Sequence, residues 1–133
     1  MSTNENKKRT QVAFDALSEG DAEPFLGLLA DDVNWTILGS TAWSRTYQGK
    51  AAVMEDLLAP VFAKFATQLR ITASRLVAED DIVVVEARGD VTTTSGDRYD
   101  NTYCFVCRFD DGRICEITEY MDTDLVRQVL GER

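Results

Sequence analysis

Apolar residues recur with a helical period through the first half of this chain and alternate with polar ones through most of the second half. Residues 4–19 place Val12, Ala13, Ala16 and Leu17 on one helical face, with Ser2 and Glu5 spaced for a capping box and Gly20 as a stop. Asp21 then opens a second helix through Phe25, Leu26, Leu28 and Leu29, where Pro24 falls in the tolerated first turn. "DDVNWTIL" predicts a short strand, and "GSTAWSRTYQG" a loop with a further extended piece around Tyr47. A third helix follows Gly49, carrying Val53, Met54, Leu57, Leu58, Val61, Phe62 and Phe65, and Pro60 should kink or split it.

Beyond residue 67 the period falls to two. "TQLRITASRLVAED", "DIVVVEARGDVTT" and the two runs of "YDNTYCFVCRFDDGRICEITEY" predict four long strands in a meander, with turns at 79–81, 95–97 and 110–112. Asp111-Gly112 is a strong hairpin signal. "TDLVRQVL" then predicts a short closing helix with Leu125, Val126, Val129 and Leu130 along one side. Helices first and a meander afterwards give an α+β fold in one domain over 1–133, with the helices on the concave face of a curved antiparallel sheet. Such a shape encloses a pocket between its layers.

Charge narrows the classes of partner. Fourteen Lys and Arg stand against 23 Asp and Glu, a net charge of −9, which disfavours nucleic acid and anionic membrane surfaces. No apolar run is long enough for a span or a signal core, so a cytoplasmic location is expected. The three cysteines are expected to be free thiols, and Cys104 and Cys107 would point to opposite faces of one strand, so no metal site is expected. The chain has no histidine. Any proton transfer must therefore use carboxylate, tyrosine, lysine or cysteine.

The strand parities then pick out candidates. If Ile117 and Met121 face a core, so does Glu119, an acid aimed inward. Asn101 and Tyr103 share a face with Phe105 and Cys107 and could bond near that acid. Glu86, Arg88 and Asp90 alternate against Val83, Val85 and Ala87, which reads either as a functional polar face or as a solvated or partner-facing one with cross-strand ion pairs. Phe14, Trp35, Phe62 and Phe105 are either plain core or the walls of a ligand pocket. Val83, Val85, Val91 and Val106 spread over both sheet faces leave more apolar surface than one helical layer covers, so a homodimer is expected.

"FLGLLADDVNW", "YQGKAAV", "GDRYDNTYCFVCRFDDGRI" and "EYMDTDLV", in this order of elements, resemble the nuclear transport factor 2-like superfamily, and within it the SnoaL-like branch. That branch is similar to polyketide cyclases, ketosteroid isomerases and limonene epoxide hydrolases. The resemblance implies a cone-shaped fold with a small-molecule pocket and cofactor-independent acid–base chemistry on a neutral, largely apolar substrate, or else a non-catalytic binding domain. The positions that carry chemistry in the isomerases fall near Ala13, Ile37 and Phe105, none of which transfers protons. The epoxide hydrolase pattern instead implies an acid–arginine–acid relay on Arg88, Asp90 and Glu119. Strand parity separately offers Glu86, Asn101, Tyr103, Ile117 and Met121 as substrate contacts around that acid.

Overall fold

A computed structural model describes residues 2–131. Helix α1 (Thr3–Ser18) starts at a complete capping box: the Glu5 N–H donates to Ser2 Oγ at 3.1 Å and the Ser2 N–H to Glu5 Oε1 at 3.3 Å. Its inward stripe is Ala13, Phe14 and Leu17. Helix α2 (Glu23–Leu28) follows, and the Asp21 carboxylate accepts from the Glu23 N–H ahead of Pro24. A third helix runs over residues 50–62 and widens to i→i+5 hydrogen bonding at Val53–Leu58, just before Pro60. Proline has no N–H to give, and the wider turn is where this helix absorbs it without breaking.

Six strands form one sheet in the order β2-β1-β6-β5-β4-β3, with β1 Leu29–Ile37, β2 Thr46–Gln48, β3 Arg70–Glu79, β4 Ile82–Asp90, β5 Thr102–Asp110 and β6 Arg113–Met121. The last four are the expected meander. The sheet as a whole is mixed rather than antiparallel, because β1 lies parallel to β6, with Trp35 beside Ile117 and Ile37 beside Glu119. Alternation along a strand identifies its faces but not its neighbour, so the sequence carried no sign of that pairing.

Two irregularities set which side chains face inward. At the β5–β6 hairpin, Asp111 and Gly112 take φ of 51° and 77°, the left-handed pair that a tight reversal needs. A bulge then lets both Ile114 and Ile117 face the core, and from Ile117 onward the regular alternation carries Glu119 inward. A second bulge at Ser74 bends β3, and the Ser74 hydroxyl donates to the Glu86 carbonyl at 3.1 Å.

The closing helix (residues 123–130) is held at both ends. Asp122 Oδ1 accepts from the N–H groups of Asp124 at 3.0 Å and Leu125 at 3.3 Å. At the far end Trp43 Nε1–H donates to the Gly131 carbonyl at 3.1 Å, and Arg127 donates to Ser40. Asp122→Ala removes both cap bonds and should lower unfolding stability by about 1 kcal/mol in a denaturant titration, whereas an unchanged midpoint would show that the sheet alone holds this helix.

Candidate functional site

Between the helices and the inner face of the sheet lies a cavity of about 100 Å³. Its wall is aromatic to an unusual degree: nine of the chain's twelve aromatic residues (two Trp, four Tyr and six Phe in all) line it. Phe14 meets Phe25 edge to face at 5.5 Å, Phe25 meets Trp35 at 6.0 Å, and Tyr103 stacks on Phe105 at 5.2 Å. Val61, Phe62, Phe65 and Leu69 are partly exposed and form a rim, while Trp43, Val126 and Leu130 are buried and close another part of the wall.

Glu119 is the one buried acid among the described residues, 9 % exposed. It sits in the register between Ile37 on β1 and Phe105 on β5, the two places where the isomerase resemblance would need proton-transfer groups. The carboxyl thus arrives from the intervening strand. Trp35 Nε1–H donates to Glu119 Oε1 at 2.9 Å, and Oε2 has no hydrogen-bond partner among the described residues. Burial pushes the carboxyl pKa up from 4.5 to about 7, opposed only by the Trp35 hydrogen bond. No cation contributes.

The expected relay is not formed. With Val83, Val85, Ala87 and Gly89 buried, Arg88 and Asp90 stand exposed on the outer face of β4, separated from Glu119 by the sheet itself. Asp90 pairs there with Arg98, and half-buried Glu86 pairs with Arg75 at 2.6 Å. The period-2 alternation forbids these side chains from reaching the cavity. Cys104 and Cys107 likewise fall on opposite faces, and Cys107 is fully buried.

Of the other expected contacts, Phe14, Trp35, Phe62, Tyr103, Phe105 and Met121 line the cavity. Ile117 is buried but packs outside that lining. Asn101 is also buried and outside it, bonding not to Glu119 but to Tyr99, Thr102 and Asp122. Tyr99 and Phe65 are lining residues that the sequence reading did not assign to the site, and of the loop residues Trp43, Arg45 and Tyr47, which the sequence offers either for the pocket mouth or for a plain surface loop, Trp43 lines the cavity. Tyr99 lies just ahead of β5 and is buried on the same parity as Asn101 and Tyr103. Burial raises the Tyr99 phenol to about 12 and holds Tyr103 well above its ordinary range, so both keep their protons at neutral pH.

The sequence pattern of the SnoaL-like domain matches residues 11–117. The chain belongs to the SnoaL-like domain family. No curated protein matches it in sequence. Solved structures share the fold at low identity. An NTF2-like protein of unknown function from Burkholderia pseudomallei is 22 % identical over 94 % of this chain and 96 % of its own, with a TM-score of 0.80. TerC, co-crystallised with polyporic acid, is 20 % identical over 95 % and 98 %, with a TM-score of 0.78. A protein from Jannaschia, provisionally named a SnoaL-like polyketide cyclase, is 16 % identical over 98 % and 94 %, also at 0.78. Among the described residues, no helix of this SnoaL-like chain is long and apolar enough to cross a membrane.

The buried acid makes stability depend on pH with a definite sign. Below the unfolded carboxyl pKa of 4.5 both states hold the proton, so Glu119 contributes no pH dependence there. From 4.5 to about 7 the unfolded chain releases it first, and stability falls as pH rises, by on the order of 3 kcal/mol across the window. Glu119→Gln keeps an oxygen for Trp35 and cannot ionise. Its stability relative to the parent should therefore rise between about pH 5 and pH 8 in paired urea titrations, and an equal difference at both values would mean that Glu119 ionises normally.

Proposed function

We propose that this SnoaL-like protein binds a neutral, largely apolar small molecule in the aromatic cavity and moves a proton on it, with Glu119 as the acid–base group and no cofactor. The observation that carries this reading is a solitary carboxyl, poised near neutrality, with one oxygen held by Trp35 and the other left open in an apolar cavity. A base of that pKa is matched to proton transfer at physiological pH. A carboxylate that loses most of its water on ionising is also a stronger base than the same group in solution.

Isomerisation or cyclisation through proton abstraction beside a carbonyl suits one such base. Epoxide hydrolysis by the two-acid relay does not, because Arg88 and Asp90 lie on the outer face. That TerC was co-crystallised with polyporic acid supports an organic ligand for this fold.

5-Nitrobenzisoxazole tests the chemistry without knowledge of the natural substrate. A base removes the proton on the ring carbon, those electrons form the nitrile, and the N–O bond breaks to give a coloured cyanonitrophenolate. The rate should rise with pH to a plateau with its midpoint at about 7 and disappear in Glu119→Gln. Turnover that survives the substitution would remove Glu119 as the base, and binding of the probe with no turnover above free acetate would leave a passive binding domain in place of the enzyme.

Self-association belongs to the same reading. The outer sheet face exposes Val77 and Tyr120, at 55 % and 46 %, around partly buried Val84 and Val106, and a second copy of this acidic chain is its proposed cover. Light scattering at tens of micromolar, an order-of-magnitude choice, should give a dimer that Tyr120→Glu converts to monomer. A monomeric parent protein would remove the proposal.

A further inference from the structure

Loops ordinarily run over a protein's surface, yet Trp43, in the loop between β1 and β2, is only 2 % exposed and lines the cavity. The loop is bonded to itself in a way that holds the indole there. The Trp43 N–H donates to Thr41 Oγ1 at 3.2 Å, the Trp43 carbonyl accepts from the Tyr47 hydroxyl at 2.8 Å, and Ser44 Oγ donates to the Leu38 carbonyl at 3.2 Å. Gly39, at a φ of 109°, lets the loop press onto the closing helix, because a Cβ there would come within 2.8 Å of the Thr123 methyl carbon. The helix in turn offers the Gly131 carbonyl, which accepts from the indole N–H at 3.1 Å just past a turn widened to i→i+5 bonding over Val126–Leu130.

These ties close one end of the cavity and leave the other open. Ile37 pairs with Glu119 and runs directly into the loop, and the Leu38 N–H donates to the Glu119 carbonyl at 3.2 Å, so the acid lies toward the Trp43 end. Apart from Met121, the lining residues that reach solvent are Ala22, Leu26, Val61, Phe62, Phe65 and Leu69. Leu69 leads into β3, three strands from the β6 that carries Glu119, or roughly 14 Å at ordinary strand spacing. A ligand that enters by the Phe62 rim therefore meets Glu119 with its leading end. Room there is short: the whole cavity holds about 100 Å³, and an apolar cavity of about 150 Å³ takes up one benzene.

We propose that Trp43 is a specificity-determining residue that closes the cavity behind Glu119, so that the site admits molecules whose reacting carbon lies at a narrow end, one ring wide or slimmer, with the bulk trailing toward Phe62. The proposal rests on the reading that the cavity holds a neutral apolar molecule, and it adds the shape of that molecule. A ligand that branches on both sides of its leading carbon meets the indole and Leu130. The indole can give way only by breaking its bond to Gly131.

Propylbenzene and mesitylene are isomers with one ring each, so transfer from water favours them about equally. Propylbenzene has a bare ring edge opposite its tail. Mesitylene leads with a methyl group or with a carbon flanked by two of them, whichever way it enters. In calorimetric titrations the parent protein should bind propylbenzene about tenfold more tightly, the cost of overpacking a closed wall. Trp43→Ala should bring the two affinities together. Leu130→Ala, which widens the same end and leaves the loop intact, should move the ratio in the same direction, and it carries the test if Trp43→Ala does not fold. Val129→Ala, on the same helix but outside the lining, should leave the ratio at the parent's value, and a shift there as large as that of Leu130→Ala would overturn the proposal in favour of general loosening. Equal affinities in the parent, or a ratio that survives both Trp43→Ala and Leu130→Ala, would overturn the role of Trp43 while leaving the apolar pocket standing. Binding of neither isomer to the parent would overturn the pocket reading and this one with it.

Discussion

A carboxyl group withdrawn from water with a single indole N–H to hold it is the constraint around which this fold is arranged. Trp35 is the one described hydrogen-bond donor to Glu119, and no arginine or lysine shares the cavity with it. Surface acids are numerous and several pair with neighbouring arginines, yet they lie on the far side of the sheet or on loops. A buried acid left without a cation lowers stability once ionised, and it is tolerated because it can keep its proton near neutrality. The same circumstance makes it useful as an acid or a base.

The rest of the molecule positions that group. The bulge in β6 restores the alternation that sends Glu119 inward, and the parallel pairing of β1 with β6 brings Trp35 alongside to bond with it. The aromatic walls come from both layers, Phe14 and Phe25 from the helices and Trp35, Tyr103 and Phe105 from the sheet. The closing helix and the β1–β2 loop are cross-tied through Trp43 to Gly131 and Arg127 to Ser40. Family membership accounts for the architecture, and at identities of 16 to 22 % the solved relatives reach no further than the fold.

Much of this was legible along the chain, and the places where it was not are physically consistent. Ser2 with Glu5 and Asp111 with Gly112 are local signals, and local hydrogen bonding and backbone conformation decide them. The inward face of Glu119 followed from its apolar neighbours two residues away on either side. Val83, Val85 and Ala87 carried the same kind of information for Arg88 and Asp90, and the structure follows that alternation where the relay implied by the epoxide hydrolase resemblance required the reverse. What remained hidden depends on partners distant in sequence: β1 beside β6, and the Trp35 to Glu119 bond across 84 positions. Asn101 was legible as an inward polar residue, but its partners were not, because the bonds to Asp122 require β5 to lie against the end of β6.

Burial rather than a neighbouring charge holds the Glu119 carboxyl near neutrality. Carbon-13 chemical shifts of the side-chain carboxyls in glutamate-labelled protein, with the Glu119 signal identified by its loss in Glu119→Gln, measure this directly. A midpoint near pH 7, insensitive to salt because no ion pair sets it, is the predicted result. A midpoint at or below 4.5 would contradict the account, since it would mean that water or a cation reaches this carboxyl in solution.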